Sequence, residues 1–193
     1  MGRSVDTVLR ANIQASTATL AALISLAEPL DRAVKLVSDC LLGGHKILTC
    51  GNGGSASDAS HLATEFVVRF QDERRGYPAI SLTDSGSTLT AAGNDYGFEQ
   101  IFARQVKAFA QTGDVLIAIS TSGKSKNVLL ALEAARELGI ASIAFLGKGG
   151  GFTRGVATVE LLVPSDTTAR VQEAQLLLYH CLCELVDDKL IHR

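Results

Sequence analysis

The sequence predicts a doubly wound α/β protein, and three features of the chain predict it. Five short apolar, β-branched runs alternate with longer helical patterns, the stretches between runs are long enough for crossover helices, and glycine- and hydroxyl-rich turns follow two of the runs. Strands joined by crossover helices pair in parallel and are covered on both faces. The runs are residues 46–50, 79–82, 115–120, 141–146 and 156–163. Helix candidates between them are 55–70, 97–110 and 124–138, and a long one over 167–191 closes the chain. Two more precede the first run, 5–27 and 29–42, the second ending at Gly43-Gly44. The first is amphipathic: Val8, Leu9, Ile13, Leu20, Leu23, Ile24, Ala27 and Leu30 recur at steps of three and four. The last helix carries Leu176 to Leu178, Leu182 and Leu185, apolar over more than one face, which predicts cover from a partner subunit.

The chain has 193 residues, 47% of them apolar, and shows no repeat, linker or boundary, so one domain over 1–193 is expected, with 1–43 as N-terminal helices used in oligomerisation. Eighteen Lys and Arg against 20 Asp and Glu give a net charge of −2. That balance argues against nucleic-acid binding, which needs a clustered basic face. A bilayer span takes about 20 apolar residues in a row, and none is expected here. Residues 15–27 could pass for a signal-peptide core, but the helical spacing continues through them into the fold. Cys40, Cys50, Cys181 and Cys183 form no CxxC pair and read as buried thiols in a reducing cytoplasm.

In an open parallel sheet, ligands sit beyond the carboxyl ends of the strands. Two loops there carry chemistry. Ser120-Thr121-Ser122-Gly123-Lys124-Ser125 follows an apolar strand and opens a helix, so its hydroxyls and free N–H groups suit a phosphate monoester, although Ser also caps helices. It is not a P-loop, since GxxxxGK[ST] is absent. Gly51-Asn52-Gly53-Gly54-Ser55 lets backbone approach a ligand closely, and Asn94-Asp95 adds polar groups nearby. His61 and Glu65, four apart, share a helix face; alone, such a pair is commonly a surface contact. Gln172 and His180 lie in the last helix.

Together these segments are recognisable. Cys50-Gly51-Asn52-Gly53-Gly54-Ser55, then Asp58, His61 and Glu65, with Gly76-Tyr77-Pro78-Ala79-Ile80, Gly93-Asn94-Asp95, Ile119-Ser120-Thr121-Ser122-Gly123 and Arg170-Val171-Gln172-Glu173, resemble the phosphoheptose isomerases of the sugar isomerase (SIS) superfamily. The match runs in register over nearly the whole chain. The resemblance implies a flavodoxin-like five-stranded parallel sheet in a bacterial, cytoplasmic homotetramer with sites at subunit interfaces. It implies conversion of sedoheptulose 7-phosphate to D-glycero-D-manno-heptose 7-phosphate, the first step towards heptose for surface polysaccharide. Glu65 and His180 would be the acid/base pair, with Asn52, Gly53, Gly54, Ser55, Glu65, Asn94, Asp95, Ser120, Thr121, Ser122, Ser125 and Gln172 around the substrate. Zinc, one ion per subunit, would sit on His61, Glu65, Gln172 and His180.

Two departures bear on substrate contacts: Gln175 stands where many relatives have His, and 164–169 lacks an acidic residue that others place before the equivalent of Arg170. The alternative from another class is a non-enzymatic paralogue that binds the replication initiator. It lacks the catalytic residues, whereas Glu65 and His180 stand here. Helix geometry adds one expectation. Gln172 and His180 are eight residues apart, roughly 12 Å along a straight helix, whereas zinc ligands sit about 2.0–2.2 Å from the metal. If all four residues hold one ion, one of these two comes from a neighbouring chain.

Overall fold

The computed structural model describes residues 2–191. Its five strands are β1 (Ile47–Gly51), β2 (Ala79–Ser81), β3 (Val115–Ser120), β4 (Ala141–Leu146) and β5 (Val159–Leu162). All neighbours pair in parallel, in the order β2-β1-β3-β4-β5, which is the doubly wound flavodoxin-like sheet that was expected. The helices in chain order are α1 (Val5–Ala22), α2 (Ala27–Leu42), α3 (Gly54–Val67), α4 (Gly86–Tyr96), α5 (Ile101–Phe109), α6 (Lys126–Glu137) and α7 (Thr168–Ile191).

Successive strand residues point to opposite faces, so β3 sends Ile117 and Ile119 into one core and Leu116 and Ala118 into another. The first core is filled by α2, α3 and α7 through Val34, Val37, Leu62, Phe66, Leu178 and Leu182. The second is filled by α5 and α6 through Phe102, Val106, Val128 and Leu132. Burial on both faces is why β1 and β3 read as apolar runs rather than alternating ones, β1 being broken only by Thr49, whose buried hydroxyl donates to Ala59 O at 2.7 Å. The strand order reverses between β1 and β3, and the crevice there is flanked by the β1–α3 and β3–α6 loops. Cys40, Cys50 and Cys183 are buried and Cys181 half-buried, all as free thiols. Burial pushes the Cys50 thiol up to about 12, so it stays protonated.

Several boundaries differ from expectation for local reasons. The break foreseen near residue 28 falls earlier, at a 3-10 turn over Leu23–Leu26. Pro29 lies in the first turn of α2, where an N–H would find no helical partner. Helix α3 stops at Val67 rather than 70, and the Arg74 guanidinium takes up the carbonyls of Glu65 and Phe66 at its end. The helix foreseen over 97–110 starts at Ile101, because Gly97 at φ 85° breaks the chain direction before it. The last strand covers only 159–162; Glu160 Oε1 accepts from the N–H groups of Gly155 and Val156 and bends the approach to it. Helix α4 is absent from the sequence-based set. Gly86, Ser87, Thr88, Thr90 and Gly93 give it weak propensity and it buries none of its residues, yet Ser85 caps it by accepting from Thr88 N–H.

The run Val5–Leu42 is long and apolar enough, by length and composition, to cross a membrane, contrary to the expectation that no segment would qualify. In the fold its polar groups tie it to α7. Arg170 donates to Asn12 O and Oδ1 at 2.8 and 2.9 Å, and Ser16 Oγ donates to Glu173 Oε2 at 2.8 Å.

Candidate active site

The β1–α3 loop is shaped by its glycines. Gly53 sits at φ 56°, a backbone conformation costly for other residues, and a Cβ at Gly54 would collide with the Gln172 side-chain amide. The first turn of α3 thus lies directly against α7. Ser55 is buried and its N–H bonds back to Asn52 O at 3.0 Å. Asn52 turns towards α6, where its side-chain amide pairs with that of Asn127.

In the β3–α6 loop, Ser120 is buried, accepts from Gly123 N–H at 3.1 Å and reaches Ser125 Oγ at 3.4 Å. Ser122 Oγ accepts from Lys124 N–H at 3.2 Å. Ser125 occupies the N-cap position of α6, but its side chain makes no cap hydrogen bond. Plain helix capping therefore does not account for this serine, and its hydroxyl is left beside the helix N-terminus, where an anion is favoured. The loop is buttressed from the β4 side. Thr153 donates to Gly123 O through both N–H and Oγ1, and Gly123, at φ 60°, has the Gly150 carbonyl where a Cβ would stand.

Farther along α3 and α7, His61, Glu65 and His180 of one chain bring their ligand atoms within 4.8 Å of one another. His61 Nε2 meets Glu65 Oε1 at 2.7 Å, leaving Glu65 Oε2 outside that bond. His61 Nδ1 meets Tyr179 OH at 3.0 Å, with Asp58 beyond it at 3.5 Å. Burial, and then Asp58, pushes the Tyr179 phenol up, so it remains a hydrogen-bond donor. Burial also carries His180 below the ordinary histidine range, with His61 lowering it further against the pull of Glu65. A neutral imidazole here offers a lone pair to a proton or a cation. Two imidazoles and a carboxylate form the three-ligand donor set that suits zinc with an open position, so the residues fit the ion.

Gln172 does not join this cluster. Helix α7 is unbroken over Thr168–Ile191, and Gln172 meets Gly54 while His180 meets His61 seven residues further along α3. The two helices therefore run side by side in the same direction, with the two contacts roughly 11–12 Å apart along their axes. Asn94 and Asp95 lie on the last turn of α4 and bond to each other, Nδ2 to Oδ1, at 2.8 Å. Gln175 corrects one expectation: it is fully buried and donates to Phe145 O at 3.0 Å, a core role beneath β4 rather than a contact surface for substrate. Sequence reasoning missed Asn127, Tyr179 and Arg74, whose partners lie far away in the chain.

The two-loop crevice at the strand order reversal is the ligand position of doubly wound sheets in general, and the chain is a SIS domain: the model of that family, described as SIS domain, matches residues 12–147. Within it, the chain belongs to the phosphoheptose isomerases. It is 49% identical over 190 residues to a phosphoheptose isomerase of Geobacter sp. (strain M21), covering 98% of this chain and 97% of that one. It is 47% identical over 184 residues to that of Coxiella burnetii (strain RSA 331 / Henzerling II), covering 93% and 92%. The structure of phosphoheptose isomerase GmhA from Neisseria gonorrhoeae superposes with a TM-score of 0.91 at 40% identity, over 96% of this chain and 100% of that one. A NanR protein of Vibrio vulnificus, at 19% identity and a TM-score of 0.69, shares the fold alone.

Proposed function

We infer that this chain is an aldose–ketose isomerase that converts sedoheptulose 7-phosphate to D-glycero-D-manno-heptose 7-phosphate through an enediol. The observation that carries the reading is the His61–Glu65–His180 cluster, lying along the same two helices whose first turns meet at Gly54 and Gln172 beside the β1–α3 loop. Isomerisation requires a proton to leave C1 of the ketose, an enediol to form, and a proton to return to C2. Glu65 is assigned the carbon proton, taken from C1 by Oε2, the oxygen that lies outside the contact with His61. His180 is assigned the oxygens, moving a proton between O1 and O2 as the carbonyl changes place. Ser120, Thr121, Ser122 and Ser125 hold the phosphate at the start of α6, and Asn52, Gly53, Gly54, Asn94, Asp95 and Gln172 hold the polyol. The triad would hold zinc, which when bound supplies a Lewis acid for the negative charge developing on the enediol oxygens.

Incubation of the purified protein with sedoheptulose 7-phosphate, followed by detection of the aldose, tests the reading directly. No aldose from folded, zinc-supplied protein would overturn it. The phosphate assignment has its own test. Hydrogen bonds to charged groups are worth about 1.5–3 kcal/mol each, so Ser122→Ala should raise KM about tenfold. Free sedoheptulose should be a poor substrate. Equal turnover of the phosphorylated and free sugars would reduce the loop to a helix start.

The functional unit is proposed to be a cytoplasmic homotetramer with sites at subunit interfaces, supplying heptose for surface polysaccharide. Support comes from apolar surface on the terminal helices: Val5, Leu9, Ile13 and Ile24 are exposed at one end, and Leu176, Leu177 and Leu185 on α7. Residues 1–43 would pack there against partner chains. Because Gln172 and His180 stand on different levels of one helix, a site using both draws one of them from a neighbour. Co-expressed Gln172→Ala and His180→Gln chains should then regain activity that neither has alone, through sites that receive two intact contributions. Strict absence of complementation in a verified mixed oligomer would place all site residues in one chain.

A further inference from the structure

We propose that Asn127, outside the residues assigned above to substrate, is a positioning residue that fixes the donor and acceptor pattern of Asn52. The proposal rests on the reading of Asn52 as a substrate contact.

Asn127 is the second residue of α6 and is buried, with 3% exposure. Its amide and that of Asn52, 75 positions earlier, exchange two hydrogen bonds: Asn52 Nδ2 donates to Asn127 Oδ1 at 2.8 Å, and Asn127 Nδ2 donates to Asn52 Oδ1 at 2.9 Å. A closed amide pair would be equally well bonded with both groups turned over. A third bond removes that ambiguity. The backbone N–H of Val128 points at Asn127 Oδ1 at 2.9 Å, and an N–H can meet only the oxygen. With Asn127 held, Asn52 has one orientation left. The half-buried Asn52 then keeps one Nδ2 hydrogen and one Oδ1 lone pair uncommitted, on fixed sides.

The consequence reaches beyond one side chain. Val128 belongs to the helix whose N-terminus carries the hydroxyl loop, while Asn52 opens the β1–α3 loop. The pair is thus a polar strut across the crevice between β1 and β3, setting the loop that receives the polyol against the loop that receives the phosphate. Buried amides in a low-dielectric setting are costly to leave unpaired, which keeps the strut closed.

Two variants separate positioning from helix capping. Asn127→Asp keeps an acceptor for Val128 N–H, and so the fold of the α6 start, but sets a carboxylate oxygen against Asn52 Oδ1. Asn127→Leu keeps the volume and removes the Val128 bond together with both bonds to Asn52. If Asn127 acts through Asn52, each lowers kcat/KM for sedoheptulose 7-phosphate about tenfold, the scale of one displaced hydrogen-bonding group. Neither adds to the loss already caused by Asn52→Ala. The Asn52 side-chain amide should also give a slowly exchanging resonance pair in wild type that exchanges fast in both variants, a readout independent of turnover. Wild-type activity in Asn127→Asp, or losses that multiply in the double variants, would overturn the proposal. If wild type holds the slow amide pair but makes no aldose, the proposed function fails and the strut stands.

Discussion

Glu65→Gln and His180→Gln should each fold as wild type and each lower kcat about a hundredfold or more, the usual loss when a positioned acid or base is removed. The expectation follows from the different tasks the two groups face. Glu65→Gln keeps an oxygen for His61 but cannot accept a proton from carbon. His180→Gln keeps a hydrogen-bonding amide but cannot pass a proton between neighbouring oxygens at neutral pH, a task for which burial keeps the imidazole uncharged. Substrate affinity should survive in both, because the phosphate loop is untouched. Steady-state kinetics together with circular dichroism separates this from unfolding. Turnover within a few-fold of wild type in either variant would remove that residue from proton transfer. Zinc content, measured in the same preparations, tells whether lost turnover reflects a lost ion or a lost proton carrier.

What could be seen in the sequence was what local spacing encodes. The runs at 115–120 and 141–146 coincide with β3 and β4, because strands buried on both faces admit only apolar and small residues. The His61–Glu65 pair was visible because four residues make one helical turn. The separation of Gln172 from His180 follows from helix rise alone, and the unbroken α7 keeps it. Helix α4 was not visible, since its Gly and Thr residues give no apolar period and its start rests on a single cap. Asn127 and Arg74 were hidden for another reason. Their partners, Asn52 and Asp187, lie 75 and 113 positions away, and no local pattern marks a polar residue whose role is to meet another across the fold.

Arg74→Met is expected to be among the most destabilising single substitutions, costing about 3–5 kcal/mol in urea unfolding, as for other buried ion pairs that lose one member. The side chains of Arg74 and Asp187 are each only 4% exposed, with Nε to Oδ1 at 2.7 Å. The guanidinium also accounts for two helix-end carbonyls, Glu65 O at 2.8 Å and Phe66 O at 3.0 Å, and stacks over the Tyr77 ring at 4.4 Å. Its loss therefore strands the Asp187 carboxylate and the Glu65 carbonyl together, while the Phe66 carbonyl keeps the N–H of Tyr77 at 2.9 Å. Even in the native pair the balance is narrow. Among the described residues Asp187 Oδ2 has no hydrogen-bond partner, and burial raises the Asp187 carboxyl above its usual range despite the opposing pull of Arg74. Arg74→Met combined with Asp187→Leu should accordingly be less damaging than Arg74→Met alone, because the stranded charge goes with its partner. The helix end would still lack its cap, so stability should not return fully. Since that cap holds the carbonyl of Glu65 itself, both variants should lose more turnover than their remaining folded fraction explains. Full activity per folded molecule would show that the end of α3 keeps its position without Arg74.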